Sequence, residues 1–210
     1  MMEIWFKPLI DMKPADPTCI KTAMVMAVKE TKSSGQAYTV FTADQQLSKV
    51  AVDVSWVYPD LFPKKTFIIR LGGMYLLMNF IGCVGKLMDN TGLEEVLSCA
   101  FGSVNNMLIG KYFPQNFRAL RMLLEELMLT IFPDIDNFDE LTVKLQTMAA
   151  ISNTAKVWDD AFVSPVLIML LYARAEREGE WVLHLESVNR MLQYFLLLGT
   201  RTMLAMLPTI

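Results

Sequence analysis

Beyond residue 73 no segment of the chain has the pattern of a strand, and apolar residues recur at helical spacing almost to the end. The clearest stretch is 115–132. There Phe117, Leu120, Leu124, Leu127 and Ile131 are spaced 3, 4, 3 and 4 residues apart, one face of a helix. Met122, Leu123, Met128 and Leu129 widen that stripe and predict a helix buried on two sides. Strand-forming sequence is confined to the first third of the chain. Ala37-Tyr38-Thr39-Val40-Phe41-Thr42 and Thr66-Phe67-Ile68-Ile69-Arg70 are rich in β-branched and aromatic residues. Between them 45–58 has a helical pattern, closed by Pro59 and Pro63. A strand, a helix and a strand joined by a crossover this long imply parallel pairing. The unbroken apolar run of the second strand predicts burial on both faces. The fold class is therefore α/β and mostly helical, a small sheet with a large helical part.

Local signals set the other boundaries. Asp16-Pro17 fits an N-cap followed by proline at the first helical position, so a helix is expected over 18–31, ending at Ser33-Ser34-Gly35. Gly72-Gly73 closes the second strand. Helices then follow over 74–88, 93–101 and 104–109. Asn137 with Glu140 three residues later marks a helix start, and helices fill 138–151, 157–177 and 183–198, with Pro165 kinking or splitting the second of these. No linker or repeat interrupts the chain. It is expected as one domain, 1–210, made of an N-terminal arm and helix (1–36), a strand–helix–strand unit (37–73) and a helical part (74–210).

Composition narrows the classes of function. Hydrophobic residues make up 53% of the 210, charged residues 20%, and the net charge is −3, which excludes a disordered chain and a nucleic-acid footprint over the whole surface. The 3 cysteines, Cys19, Cys83 and Cys99, form no C-x-x-C pair and suit reduced thiols, so an intracellular location, cytoplasmic or nuclear, is expected. The first 17 residues lack the apolar core of a signal peptide. The most apolar segments, 71–85, 162–173 and 191–210, are too short or broken by Pro165 or Arg201, so buried helices are expected in place of membrane spans. With 16 methionines, a Met- and Leu-rich surface for a protein partner is a further expectation.

Among the polar residues, Asp44 is the candidate catalytic group. An acid at the end of a strand stands where α/β folds place metal ligands and catalytic acids. The same position also suits a helix N-cap for 45–58. Two-metal chemistry would need further acids converging on it, and Asp53, Asp60, Asp159 and Asp160 have no diagnostic spacing. His184 is the single histidine, which excludes a histidine-rich metal site, and a half-buried helix histidine is expected there. Asp134, Asp136, Asp139 and Glu140 form an acidic cluster without the glycine of a calcium loop, so capping and a solvated first turn account for it. Lys111, Arg118 and Arg121 form a small basic group near a helix start, candidates for touching a phosphate backbone or a solvated face.

Four stretches carry a resemblance. They are Asp16-Pro17-Thr18-Cys19-Ile20, then Thr42-Ala43-Asp44-Gln45, then the run from Ile69-Arg70-Leu71-Gly72-Gly73-Met74-Tyr75 through Gly82 and Gly85-Lys86, and last Arg177-Glu178-Gly179-Glu180-Trp181 through Leu183-His184-Leu185. In this order they resemble a multicopy family of uncharacterised animal proteins that is similar to transposase-derived, mobile-element proteins. The resemblance implies a ribonuclease-H-like core with a helical insertion. It also implies polar positions, of which Asp44, Gln45, Gly110, Lys111 and Arg118 match. Val50 stands at a lysine position, Tyr75 at a histidine, Gln115 at an arginine and Leu120 at a second histidine. An acid position falls near Gly199, and the chain ends at Ile210, short of the family's C-terminal segment.

Apolar and glycine positions are thus kept while polar site positions are changed. The pattern implies a truncated, non-catalytic relative, an interaction or remnant protein with no cofactor and no metal site. Two alternatives remain open. One is a metal-dependent nuclease or transposase-like enzyme using Asp44 with Mg²⁺. The other is a peripheral membrane or helix-binding protein.

Overall fold

The computed structural model describes residues 10–11, 13–102, 104–133 and 137–199. The chain divides into two compact units, the first reaching to Tyr75 and the second beginning at Leu76.

The first unit is built around a strand–helix–strand crossover. Helix α1, Pro17–Ser33, starts where expected: the Asp16 side chain accepts a hydrogen bond from the Thr18 N–H at 2.7 Å and Pro17 occupies the first turn. Strand β1, Thr39–Ala43, leads through Asp44 into helix α2, Gln45–Val57, and strand β2, Phe67–Leu71, returns. The strands pair in parallel, Thr39 opposite Phe67 and Ala43 opposite Leu71, as the crossover length requires. One face of the ribbon is covered. Phe67 packs into an apolar cluster with Ile20 and Met24 of α1, Ala51 and Val54 of α2, and Phe62 of the returning loop. The Phe62 and Phe67 rings lie 5.0 Å apart, and the Lys21 ammonium sits 3.6 Å over the Tyr58 ring.

Burial of β2 on both faces does not hold. Phe67 and Leu71 are buried, but Ile68, Ile69 and Arg70 between them are only half-buried. Among the described residues α1 and α2 pack on the ribbon, and a continuous apolar run records strand propensity here more than two-sided cover.

Helix α3, Gly73–Leu87, leads into the second unit. Its turn of exit uses Asn90 at φ 57° and Gly92 at φ 92°. Two short helices follow, α4, Leu93–Ser98, and α5, Val104–Leu108, and then the long helix α6, Phe113–Ile131. Helix α7, Phe138–Ile151, opens on Asn137, whose side chain accepts from the Glu140 N–H at 2.8 Å. The expected helix over 157–177 is in fact composite. Helix α8, Asn153–Trp158, passes into a π-helical turn, Asp159–Val163, and then into helix α9, Ser164–Glu178. Pro165 explains the break. It has no N–H to give, and its ring would crowd the carbonyl four residues back, so the wider turn just before it relieves the clash. Gly179, at φ 70°, ends α9, and helix α10, Trp181–Leu197, packs back along it.

The buried residues of this unit include Phe80 and Ile81 of α3, Phe162 in the π turn, Met169 and Tyr172 of α9, and Met191 and Phe195 of α10, with the Phe80 and Phe195 rings 5.9 Å apart. Helix α6 contributes Ala119, Leu120 and Leu124, all buried. It is not buried on two sides. Leu127 is half-buried, Ile131 and Met122 are exposed, and Leu129 is 67% exposed. Helices α5 and α9 pack against α6, and the widened part of the stripe is left largely exposed. Among the described residues no helix is long and apolar enough to cross a membrane.

Candidate functional site

Asp44 stands at the carboxyl end of β1, where the chain turns into α2. Its backbone is extended (φ −67°, ψ 174°), and its carboxylate accepts the Leu47 N–H at 2.8 Å, satisfying one of the free donors of the first turn. Ser48, buried, donates its hydroxyl to the Ala43 carbonyl at 3.2 Å and ties the same turn from the other side. The other positions implied by the resemblance are spread over the fold and do not gather around Asp44. Val50 packs against the apolar cluster of the first unit, and Leu120 is 2% exposed in the core of the second. The Tyr75 N–H bonds to the Gly72 carbonyl at the start of α3, Gln115 is exposed, and Gly199 adopts φ 64° just past α10. Asp53 and Asp60 are exposed. Among the described residues no three of His, Cys, Asp and Glu gather as a metal site would need.

The basic group lies at the start of α6. Lys111, Arg118 and Arg121 are all exposed. Arg121 is 3.2 Å from Glu125, an exposed pair one helical turn apart and worth a few tenths of a kcal/mol at most, on the order of 0.3–0.5. The turn is held by a residue that sequence reasoning missed. Asn116 is 2% exposed, and its side-chain amide donates to the carbonyls of Met107 and Lys111, both at 2.6 Å. That double contact fixes the turn through Gly110 and Tyr112, at φ 86° and 58°. An asparagine within an apolar helical stripe is the one sequence signal that pointed to it.

His184 is buried and not half-buried. Its Nδ1 lies 2.6 Å from Glu176 Oε1, and its ring stacks on Trp181 with centroids 4.9 Å apart. The α9–α10 turn closes Glu176 and Trp181 around it, which makes it a structural link between two helices. Of the acidic cluster, Glu140 pairs with Lys144 at 3.1 Å on α7, and Asp134 and Asp136 lie outside the described residues.

A cavity of about 290 Å³ opens elsewhere in the second unit. Leu127 and Ile131 of α6 form one wall, Leu145 and Met148 of α7 another, and Trp158 and the π turn close the end. None of the described side chains of α7 is buried, so this wall is a helix held by few interior contacts. The polar residues that line the cavity are Ser152, Thr154 and Asp159. Partial burial and then the neighbouring Asp160 raise the Asp159 carboxyl above its ordinary 3.8, against a long 3.4 Å hydrogen bond donated by Ser164 Oγ. Asp159 appeared in the sequence only as an acid remote from Asp44.

A mostly helical α/β chain with a parallel two-stranded ribbon, a capped strand end and an apolar cavity is the class these elements define. The chain belongs to the family described as a domain of unknown function (DUF8702), whose sequence pattern matches residues 1–149 and 135–202. No curated protein and no solved structure matches it.

Proposed function

We propose that this chain is a non-catalytic binding protein, an interaction or remnant relative of mobile-element-encoded proteins whose ribonuclease-H-like ancestry survives in the strand–helix–strand unit. The observation that carries the reading is the engagement of Asp44. Its carboxylate is the N-cap of α2, bonded to Leu47 N–H at 2.8 Å. Two positions that are polar in the resembling family, Val50 and Leu120, are packed into apolar interiors, so restoring a polar site there would unfold what now depends on them. A lone carboxylate holds Mg²⁺ weakly, since that ion keeps most of its waters. Exposed apolar side chains, among them Trp56 and Val57 at the end of α2, Leu61 just after it, and Leu196 and Leu197 at the end of α10, support contact with a protein partner.

The test is cleavage. Purified chain is incubated with single- and double-stranded DNA in millimolar Mg²⁺ or Mn²⁺, beside the Asp44→Asn variant. Neither cuts nor joins strands on this reading. Metal-dependent cleavage that is lost in Asp44→Asn would replace it with the nuclease.

A further inference from the structure

The cavity between α6, α7 and the π turn has a chemistry that the reading of Asp44 does not use. Its lining is mostly apolar, but it includes two consecutive residues of another chemistry, the indole-bearing Trp158 and the acid Asp159. A second carboxylate, Asp160, follows. Among the described residues neither acid has a lysine or arginine partner. Elsewhere on the described surface four exposed carboxylates are paired one helical turn away with a base: Glu125 with Arg121, Glu140 with Lys144, Glu178 with Arg174, Glu186 with Arg190. Here two acids are consecutive in sequence, and the first of them, Asp159, lines the apolar space with only a long hydrogen bond from Ser164 to offset its charge.

The two acids are the first residues of the π turn, Asp159–Val163. It inserts one extra residue per turn ahead of Pro165, and such turns are frequently found at binding sites. Burial and Asp160 together make the ionised form of Asp159 costly. A cation brought into the cavity would remove that cost, and an indole beside a carboxylate attracts an ammonium through both its ring face and the neighbouring charge. Trp158 is itself held edge-on by Phe162, centroids 5.4 Å apart, so its ring is oriented before any ligand arrives. The volume, about 290 Å³, is at the lower end for small-molecule pockets. The α7 wall, without a buried side chain among those described, can give way at little cost to admit a ligand.

We propose that this cavity is a binding site for a small hydrophobic ammonium ion, its apolar body between Leu127, Ile131, Leu145 and Met148 and its cationic head against Trp158 and Asp159. This goes beyond the non-catalytic reading and stands without it.

The probe is benzyltrimethylammonium, with neopentylbenzene as its neutral isostere, titrated by calorimetry or by amide shifts in a heteronuclear spectrum. On the wild-type chain the cation binds at least tenfold more tightly than the isostere. Asp159→Asn weakens the cation at least tenfold and leaves the isostere unchanged or tighter. Met148→Trp, which fills the cavity from a part-exposed helix position, weakens both. The wild-type comparison of the two probes needs no variant, so a variant that fails to fold leaves the test standing. Equal affinity for the two probes overturns the proposal, and so does cation binding that survives Asp159→Asn or Met148→Trp. Absence of binding by the cation overturns it as well.

Discussion

Gly85 of α3 faces the carbonyl of Leu108 so closely that a Cβ on residue 85 would overlap that oxygen and stand 2.9 Å from the carbonyl carbon. The contact is helix against backbone, with no flexible side chain to swing aside. A glycine within a helix ordinarily costs about 0.5–1 kcal/mol relative to alanine. Here it is retained because only hydrogen fits. Gly85→Ala is therefore expected to destabilise the protein by on the order of 1–3 kcal/mol, the range for overpacking, measured by denaturant unfolding. A gain of stability would mean that α3 and α5 do not approach this closely.

The one-sided cover of α6 separates two leucines five residues apart. Leu124 is 4% exposed and Leu129 is 67% exposed. Leu124→Ala should cost roughly 2–5 kcal/mol through lost burial and the cavity left behind. Leu129→Ala should change stability by less than about 0.5 kcal/mol. Equal losses from the two would place solvent on neither face of the helix.

Asp159 gives a pH signature with a defined sign. Its folded-state pKa is raised above 3.8, so folding favours the protonated form. The stabilisation is fully present below the unfolded pKa and is lost as pH rises through the folded one. At neutral pH the ionised, partly desolvated carboxylate beside Asp160 is a burden. Asp159→Asn should then melt higher than wild type at pH 7, and the difference should shrink as pH falls toward 3.8 and below. A variant that melts lower at pH 7 would contradict the cause assigned to the shift.

The caps and the crossover were legible because their physics is local. Asp16, Asp44 and Asn137 each accept a backbone N–H two or three residues ahead, and a side chain that short can only bond to its own neighbourhood. Parallel pairing of Thr39 with Phe67 followed from the length of chain between them. What the sequence left hidden depends on distant cover. The apolar stripe of α6 looks the same at Leu124 and Leu129, and the helices packed on it, α5 and α9 among them, decide which is buried. The cavity escaped for the same reason. Leu127 and Ile131 resemble core residues until α7 is seen to sit beside them without closing over them. The π turn was half visible, since Pro165 marked a break but not a widened turn over Asp159–Val163.

Asp44 carries the central claim, that the residue in the catalytic position holds up the fold and performs no chemistry. The direct measurement is the unfolding free energy of wild type, Asp44→Asn and Asp44→Ala, each with and without millimolar Mn²⁺. As an N-cap, Asp44 is replaced by asparagine almost without loss and by alanine at about 1 kcal/mol, and Mn²⁺ changes none of the three. A metal-binding Asp44 gives the opposite pattern. Mn²⁺ at a hundred times its dissociation constant would raise wild-type stability by about 2.7 kcal/mol, and the rise would vanish in Asp44→Asn.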